Sequence, residues 1–153
     1  MSPDSTKLSM VQIYLYVHII WSTRNREKIL SKPVRVVLYA HLKKHAEEKG
    51  IHVLTINGVE DHVHLLLQLH PAQNLSQVMR ILKSESTEWL NGTQLLKAEF
   101  SWSEETIAYS VSPGALQQVN AYLDRQEEYH LSKSFETEIE VFLKTDNKLD
   151  NKS

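Results

Sequence analysis

The stretch Asp61-His62-Val63-His64-Leu65-Leu66-Leu67-Gln68-Leu69 restricts the fold more than any other part of the chain. Side chains alternate along a strand, so Val63, Leu65, Leu67 and Leu69 make one unbroken apolar face that needs helices packed over it. His62 and His64 then project together from the opposite face, with Cα atoms about 6.6 Å apart. Two imidazoles so placed can converge on one divalent ion, because neutral histidine is a good ligand at neutral pH. The motif is also compatible with two hydrogen-bonded surface histidines.

The rest of the chain supplies partners for such a strand. In residues 11–21, Val11, Ile13, Leu15, Val17, Ile19 and Trp21 share one face, and Gln12, Tyr14, Tyr16, His18 and Ile20 the other. This alternation predicts a first strand with His18 on its more polar side. After a polar loop, Pro33 opens a helix whose repeating positions are Val34, Val37, Leu38, His41, Leu42 and His45, closed by Gly50. Strands follow over 51–57 and 62–70, joined through Asn57-Gly58 and Glu60-Asp61. A second helix carries Leu75, Val78, Met79, Leu82, Ser86, Trp89 and Leu90, capped by Asn74 or Ser76. Residues 92–105 read as a loop anchored by Phe100 and Trp102, and 106–111 as a short strand. Ser112-Pro113 starts a last helix running from about 114 into the 130s.

The order β-α-β-β-α-β-α predicts an α+β protein, a ferredoxin-like βαββαβ sandwich. Its antiparallel sheet carries two helices on one face, and the C-terminal helix covers part of the other. Residues 8–140 form one domain, with 1–7 and 141–153 as flexible termini.

With 153 residues, 41% of them hydrophobic, the chain has enough apolar material for one core. It has no cysteine, which excludes disulfides and thiolate metal sites. Neither a secretory leader nor a bilayer-length apolar run is visible, so a soluble cytoplasmic protein is expected. The net charge of −2 comes from the segment after residue 135, since the preceding body is neutral. Within that body Arg24, Arg26 and Lys28 cluster, as do Arg80 and Lys83. Such local patches can engage a phosphate backbone without a basic pI, and are also ordinary solvated surface.

In the last helix, Leu116, Val119 and Leu123 form a buried stripe, and Tyr122 and Gln126 sit one turn apart along its edge. If the stripe packs on the sheet, that edge overlooks His62 and His64. Gln126 could then offer an oxygen as third metal ligand. Two imidazoles and an amide oxygen suit Mg²⁺ or Mn²⁺ and leave positions open for substrate oxygens. Tyr122 and Gln126 are equally compatible with plain amphipathic packing.

These residues carry a family resemblance. Asp61-His62-Val63-His64-Leu65-Leu66 resembles the His-hydrophobe-His signature of HUH-type single-tyrosine transposases of insertion sequences, with REP-associated tyrosine transposases as relatives. His18-Ile-Ile-Trp21-Ser-Thr-Arg24-Asn-Arg26 resembles the family's first strand and basic loop, and Arg80-Ile-Leu-Lys83-Ser-Glu-Ser86 its second-helix segment. Tyr122-Leu-Asp-Arg-Gln126 resembles the tyrosine motif, and Gln126-Glu-Glu-Tyr129-His130 with Ser134-Phe135 continues the likeness. It spans about residues 11–140 in order and spacing. One departure is the segment after Trp102, Ser-Glu-Glu-Thr-Ile-Ala-Tyr109, where the family commonly has a Gly-Tyr-containing stretch.

The resemblance implies a transposase that cleaves and rejoins single-stranded DNA bearing hairpin ends. Tyr122 would be the nucleophile, forming a 5′-phosphotyrosine and freeing a 3′-OH. His62, His64 and Gln126 would hold Mg²⁺ or Mn²⁺, with no small-molecule cofactor. Arg24, Arg26, Lys28, Arg80 and Lys83 would be DNA contacts, and two ends per excision imply a homodimer. The competing readings are a single-strand-binding module with an unused catalytic set, and a metal-dependent hydrolase that uses water.

Overall fold

The computed structural model describes residues 11–141. Strand β1 spans Tyr16–Thr23, helix α1 Lys32–Glu48, β2 His52–Gly58, β3 His62–Gln68, α2 Leu75–Thr93 and β4 Trp102–Val111. A 3₁₀ turn at Pro113–Ala115 leads into α3, Leu116–Asp124, and the short α4, Gln126–Tyr129. Residues 135–141 are helical again. The four strands form one antiparallel sheet in the order β2-β3-β1-β4. With α1 and α2 as the two crossovers, this is the expected ferredoxin-like sandwich.

Local chemistry accounts for the helix boundaries. Pro33 lies in the first turn of α1, where its missing N–H costs nothing, and the chain leaves the helix at Gly50 with φ +71°. Of the two candidate caps for α2, Asn74 takes the role: its Oδ1 accepts from the Gln77 N–H at 3.1 Å.

The main core lies between α1, α2 and one sheet face. Val17, Ile19 and Trp21 of β1 and Val63, Leu65 and Leu67 of β3 pack under Leu38 and Leu42 of α1 and Val78, Leu82 and Leu90 of α2. A smaller cluster of Leu66, Val111 and Leu123 seals α3 onto the opposite face. His62 and His64 therefore emerge beneath α3 and the chain that follows it.

Four details differ from expectation. The first strand begins at Tyr16, and Val11, Ile13, Tyr14 and Leu15 are exposed. Alternation alone does not make a strand: the pairing of β1 with β3 and β4 starts at Tyr16, and before it the Leu15 carbonyl accepts from the Leu69 N–H at 2.7 Å. In α1, Val37 is exposed while Arg35 is buried, because its guanidinium donates to the Leu30 carbonyl at 2.7 Å and reaches Glu127. The short strand expected at 106–111 extends back to Trp102, anchored as Trp102 Nε1 donates to Ser86 Oγ at 2.8 Å. The last helix is broken at Arg125, whose φ of −104° and ψ of 21° lie outside the helical range. The expected flexible termini, 1–7 and 141–153, lie outside the described residues apart from Val141.

Candidate active site

Sheet pairing sets the first layer of the site. His64 lies on β3 between Ile20 of β1 and Asn57 of β2, and His62 faces Ser22. His18, opposite Leu66, is the diagonal neighbour of His64. The two rings are 5.1 Å apart, and His18 Nε2 meets His64 Nδ1 at 2.8 Å. Both β3 histidines are fully buried. The connection between β2 and β3 is tight: a Cβ on Gly58 would stand 2.2 Å from the His62 carbonyl oxygen.

The second layer comes from α3, α4 and the residues beyond. Tyr122 is half-buried, its ring meeting the His64 ring edge-on at 5.9 Å. A single chain thus brings its own tyrosine to its own histidines. Gln126 is buried; its Nε2 donates to Glu138 Oε2 at 3.1 Å and its Oε1 lies 3.2 Å from His130 Nε2.

Glu138, from the helical segment 135–141, stands at the centre. Its Oε1 lies 3.0 Å from Nε2 of His62, 3.0 Å from Nε2 of His64 and 3.3 Å from Nε2 of His130. Its Oε2 accepts from the Tyr122 phenol. Sequence reasoning missed Glu138 altogether. No local pattern marks it, because its role comes from a chain reversal after α4. His130 sits four residues past Gln126, and that helical spacing was the available sign.

The electrostatics follow from burial and these contacts. Burial alone would raise the Glu138 carboxyl, but the facing imidazoles of His130, His62 and His64 outweigh it and hold it far below the usual carboxylate range. His62 is raised, since Asp61 and Glu138 overcome the desolvation that would lower it. His64 is lowered, chiefly by burial. His18 is pushed down to about 3, first by burial and then by its neighbour His64. Burial, then the Glu138 carboxylate, raises the Tyr122 phenol well above its ordinary value.

The donor set suits a divalent ion. One ligand atom from each of His62, His64, His130 and Glu138 lies within 4.8 Å of all the others. His62 Nε2 is buried and makes no hydrogen bond, although Glu138 Oε1 is close; a metal is a natural partner for such a nitrogen.

The basic residues divide. Arg26 and Lys28 line a cleft of about 700 Å³ beside the site, together with Arg35, Asp61, His130 and Lys133. Arg26 pairs there with Glu136 at 2.8 Å. Arg24, exposed, begins the 3₁₀ turn that leads to this cleft. Arg80 and Lys83 are not brought to the site: they lie on α2, across the sheet. Lys83 Nζ is occupied by the Ser103 carbonyl at 2.7 Å and Thr106 Oγ1 at 2.9 Å.

A ferredoxin-like sheet with paired histidines facing a helix-borne tyrosine defines a class that comparison with known proteins makes specific. The family model described as IS200-like transposase matches residues 11–126. The chain belongs to that family. It is 28% identical over 117 residues to the ISDra2 transposase TnpA of Deinococcus radiodurans, covering 73% of this chain and 84% of that one. It is 29% identical over 84 residues to the IS200 transposase of Salmonella typhimurium, a match spanning 55% of each chain. Among solved structures, a putative transposase from Deinococcus radiodurans R1 shares the fold with a TM-score of 0.63 and 24% identity, over 77% of this chain and 95% of that one. A REP-associated tyrosine transposase bound to a REP hairpin shares it with a TM-score of 0.59 and 14% identity, over 80% and 73%. Among the described residues, no helix is long and apolar enough to cross a membrane.

Proposed function

We propose that this transposase-family chain cleaves and rejoins single-stranded DNA through a 5′-phosphotyrosine on Tyr122. The observation that carries the reading is convergence: the Tyr122 phenol, the Nε2 atoms of His62 and His64, and the Gln126 amide all surround one carboxylate. Tyr122 attacks the scissile phosphorus, forming the Oη–P bond as the P–O3′ bond breaks. Its proton leaves to solvent by way of Glu138 Oε2, the acceptor it already faces, and the departing 3′ oxygen takes up a proton from solvent. His62, His64 and Gln126 would hold Mg²⁺ or Mn²⁺, which would supply positive charge against the non-bridging phosphate oxygens. Because the phosphotyrosine keeps the energy of the ester, another 3′-OH reverses the step without ATP.

Arg24, Arg26 and Lys28 beside the cleft are the proposed phosphate contacts. Hairpin-ended DNA is the proposed substrate, a reading supported by the hairpin-bound REP-associated relative. A homodimer handles the two ends.

Labelled single-stranded DNA from the gene's own flanks, incubated with Mn²⁺, tests the reading. The expected product is a denaturant-resistant, gel-shifted species that Tyr122→Phe abolishes while still binding DNA. An adduct persisting in that variant places the nucleophile elsewhere, with Tyr129 the first candidate at 5.6 Å from Tyr122.

A second reading, a binding module with the catalytic set unused, is favoured by one observation. Glu136 engages Arg26, and Glu138 engages the histidines. It predicts tight DNA binding indifferent to Mn²⁺ and no adduct with any hairpin substrate. A water-using hydrolase predicts turnover insensitive to Tyr122→Phe.

A further inference from the structure

The three histidines that face Glu138 share a feature on their far sides. His62 Nδ1 is held by Asp61 Oδ1 at 2.7 Å, and His64 Nδ1 by His18 Nε2 at 2.8 Å. His130 Nδ1 is held by the Lys133 carbonyl at 2.7 Å. Each ring is thus anchored through one nitrogen, and each presents the other to the same point. Outer partners of this kind, two of them a carboxylate and a backbone carbonyl, fix ring orientation and leave Nε2 free to bind a metal. They come from three separate parts of the chain, so the common arrangement is not a by-product of one helix or strand.

Glu138 completes the picture. It is 1% exposed, and among the described residues its ion-pair partners are these three histidines and no lysine or arginine. A buried carboxylate needs a compensating positive charge, which a divalent ion at the three Nε2 atoms provides. We infer that Glu138 and His130 are donors to the same ion as His62 and His64. With the proposed Gln126 oxygen, the centre then offers three imidazoles, one carboxylate and one amide oxygen, and it takes a first-row transition ion such as Mn²⁺ in preference to Mg²⁺. Imidazole-rich sets suit transition ions, whereas Mg²⁺ demands oxygen ligands in near-ideal octahedral geometry. Glu138 can serve the ion through Oε1 while Oε2 keeps its bond to Tyr122, so metal and nucleophile share one side chain.

The inference rests on the proposed metal site but extends its ligands and narrows its metal. Calorimetric titration with Mn²⁺ and with Mg²⁺, without DNA, tests it on the full chain. Wild type should bind Mn²⁺ at least about tenfold more tightly than Mg²⁺. Glu138→Gln and His130→Gln, each checked for unchanged circular dichroism, should each weaken Mn²⁺ binding about tenfold or more. Unaltered Mn²⁺ affinity in both variants, or equal affinity of wild type for the two ions, overturns the assignment. If wild type binds Mn²⁺ with this dependence on Glu138 and His130 yet forms no DNA adduct, the donor set stands and strand transfer fails.

Discussion

Tyr122 donates its phenolic hydrogen bond to Glu138, sixteen positions further along the chain. The proposed nucleophile is therefore held by the carboxylate that also faces the histidines. Its proton is hard to remove in this state, because burial and the adjacent negative charge both favour the neutral phenol. Glu138→Gln keeps the shape and removes the charge. The Tyr122 phenol should then titrate at a lower pH than in wild type, as followed by NMR of ring-labelled tyrosine. An unchanged titration would show that burial alone sets the phenol.

His18 gives the chain a stability that depends on pH near neutrality. Its imidazole titrates at about 6.5 when free and about 3 in the fold, for burial and His64 disfavour the charged ring. Between these values the unfolded chain binds a proton that the folded chain refuses. Stability therefore falls as pH falls below about 6.5, by up to about 1.4 kcal/mol per pH unit from this group. His18→Gln should flatten the dependence between pH 7 and pH 5 by about that slope, as measured by urea denaturation. Parallel curves for the two proteins would refute the assignment to His18.

Much of this was legible in the sequence, and for a physical reason. The alternation of His62, His64 and Leu66 against Val63, Leu65 and Leu67 is local information, and a strand buried on both sides preserves it. The helical spacing of Tyr122 and Gln126 survives because Tyr122 lies in the last turn of α3 and Gln126 begins α4, so the break at Arg125 does not carry Gln126 out of reach. What could not be read is contact between segments without a shared period. Glu138 meets His64 across 74 positions, and Glu127 draws Arg35 inward across 92. Residues 11–15 failed the other way: they carry a strand pattern, yet the ladder of β1 begins at Tyr16.

Gly58 should resist substitution. A Cβ there would stand 2.2 Å from the His62 carbonyl oxygen and 2.9 Å from the Val63 Cα, and both are backbone atoms that cannot swing aside. Gly58→Ala should destabilise the fold by about 1–3 kcal/mol in urea denaturation, the usual range for forced overpacking. Because the displaced backbone carries His62, the variant should also bind Mn²⁺ more weakly. Loss of neither property would mean that the β2–β3 connection is looser than these distances imply.

The basic residues offer a contrast between two sides of one sheet. Arg26 borders the cleft beside His130 and is balanced by an exposed carboxylate, Glu136, that an incoming phosphate can replace. Lys83 is tied to β4 by the Ser103 carbonyl and Thr106, and stands over the Trp21 ring at 5.8 Å. Binding of a single strand at the cleft should release counterions from phosphates near Arg26 and none near Lys83. Arg26→Ala should therefore weaken single-stranded DNA binding and reduce the slope of log affinity against log salt by about 1. Lys83→Ala should leave that slope unchanged and instead lower thermal stability, because β4 loses its tether to α2. Fluorescence anisotropy over a salt series separates the two, and a larger slope change for Lys83 would put the DNA on the helical face of the sheet.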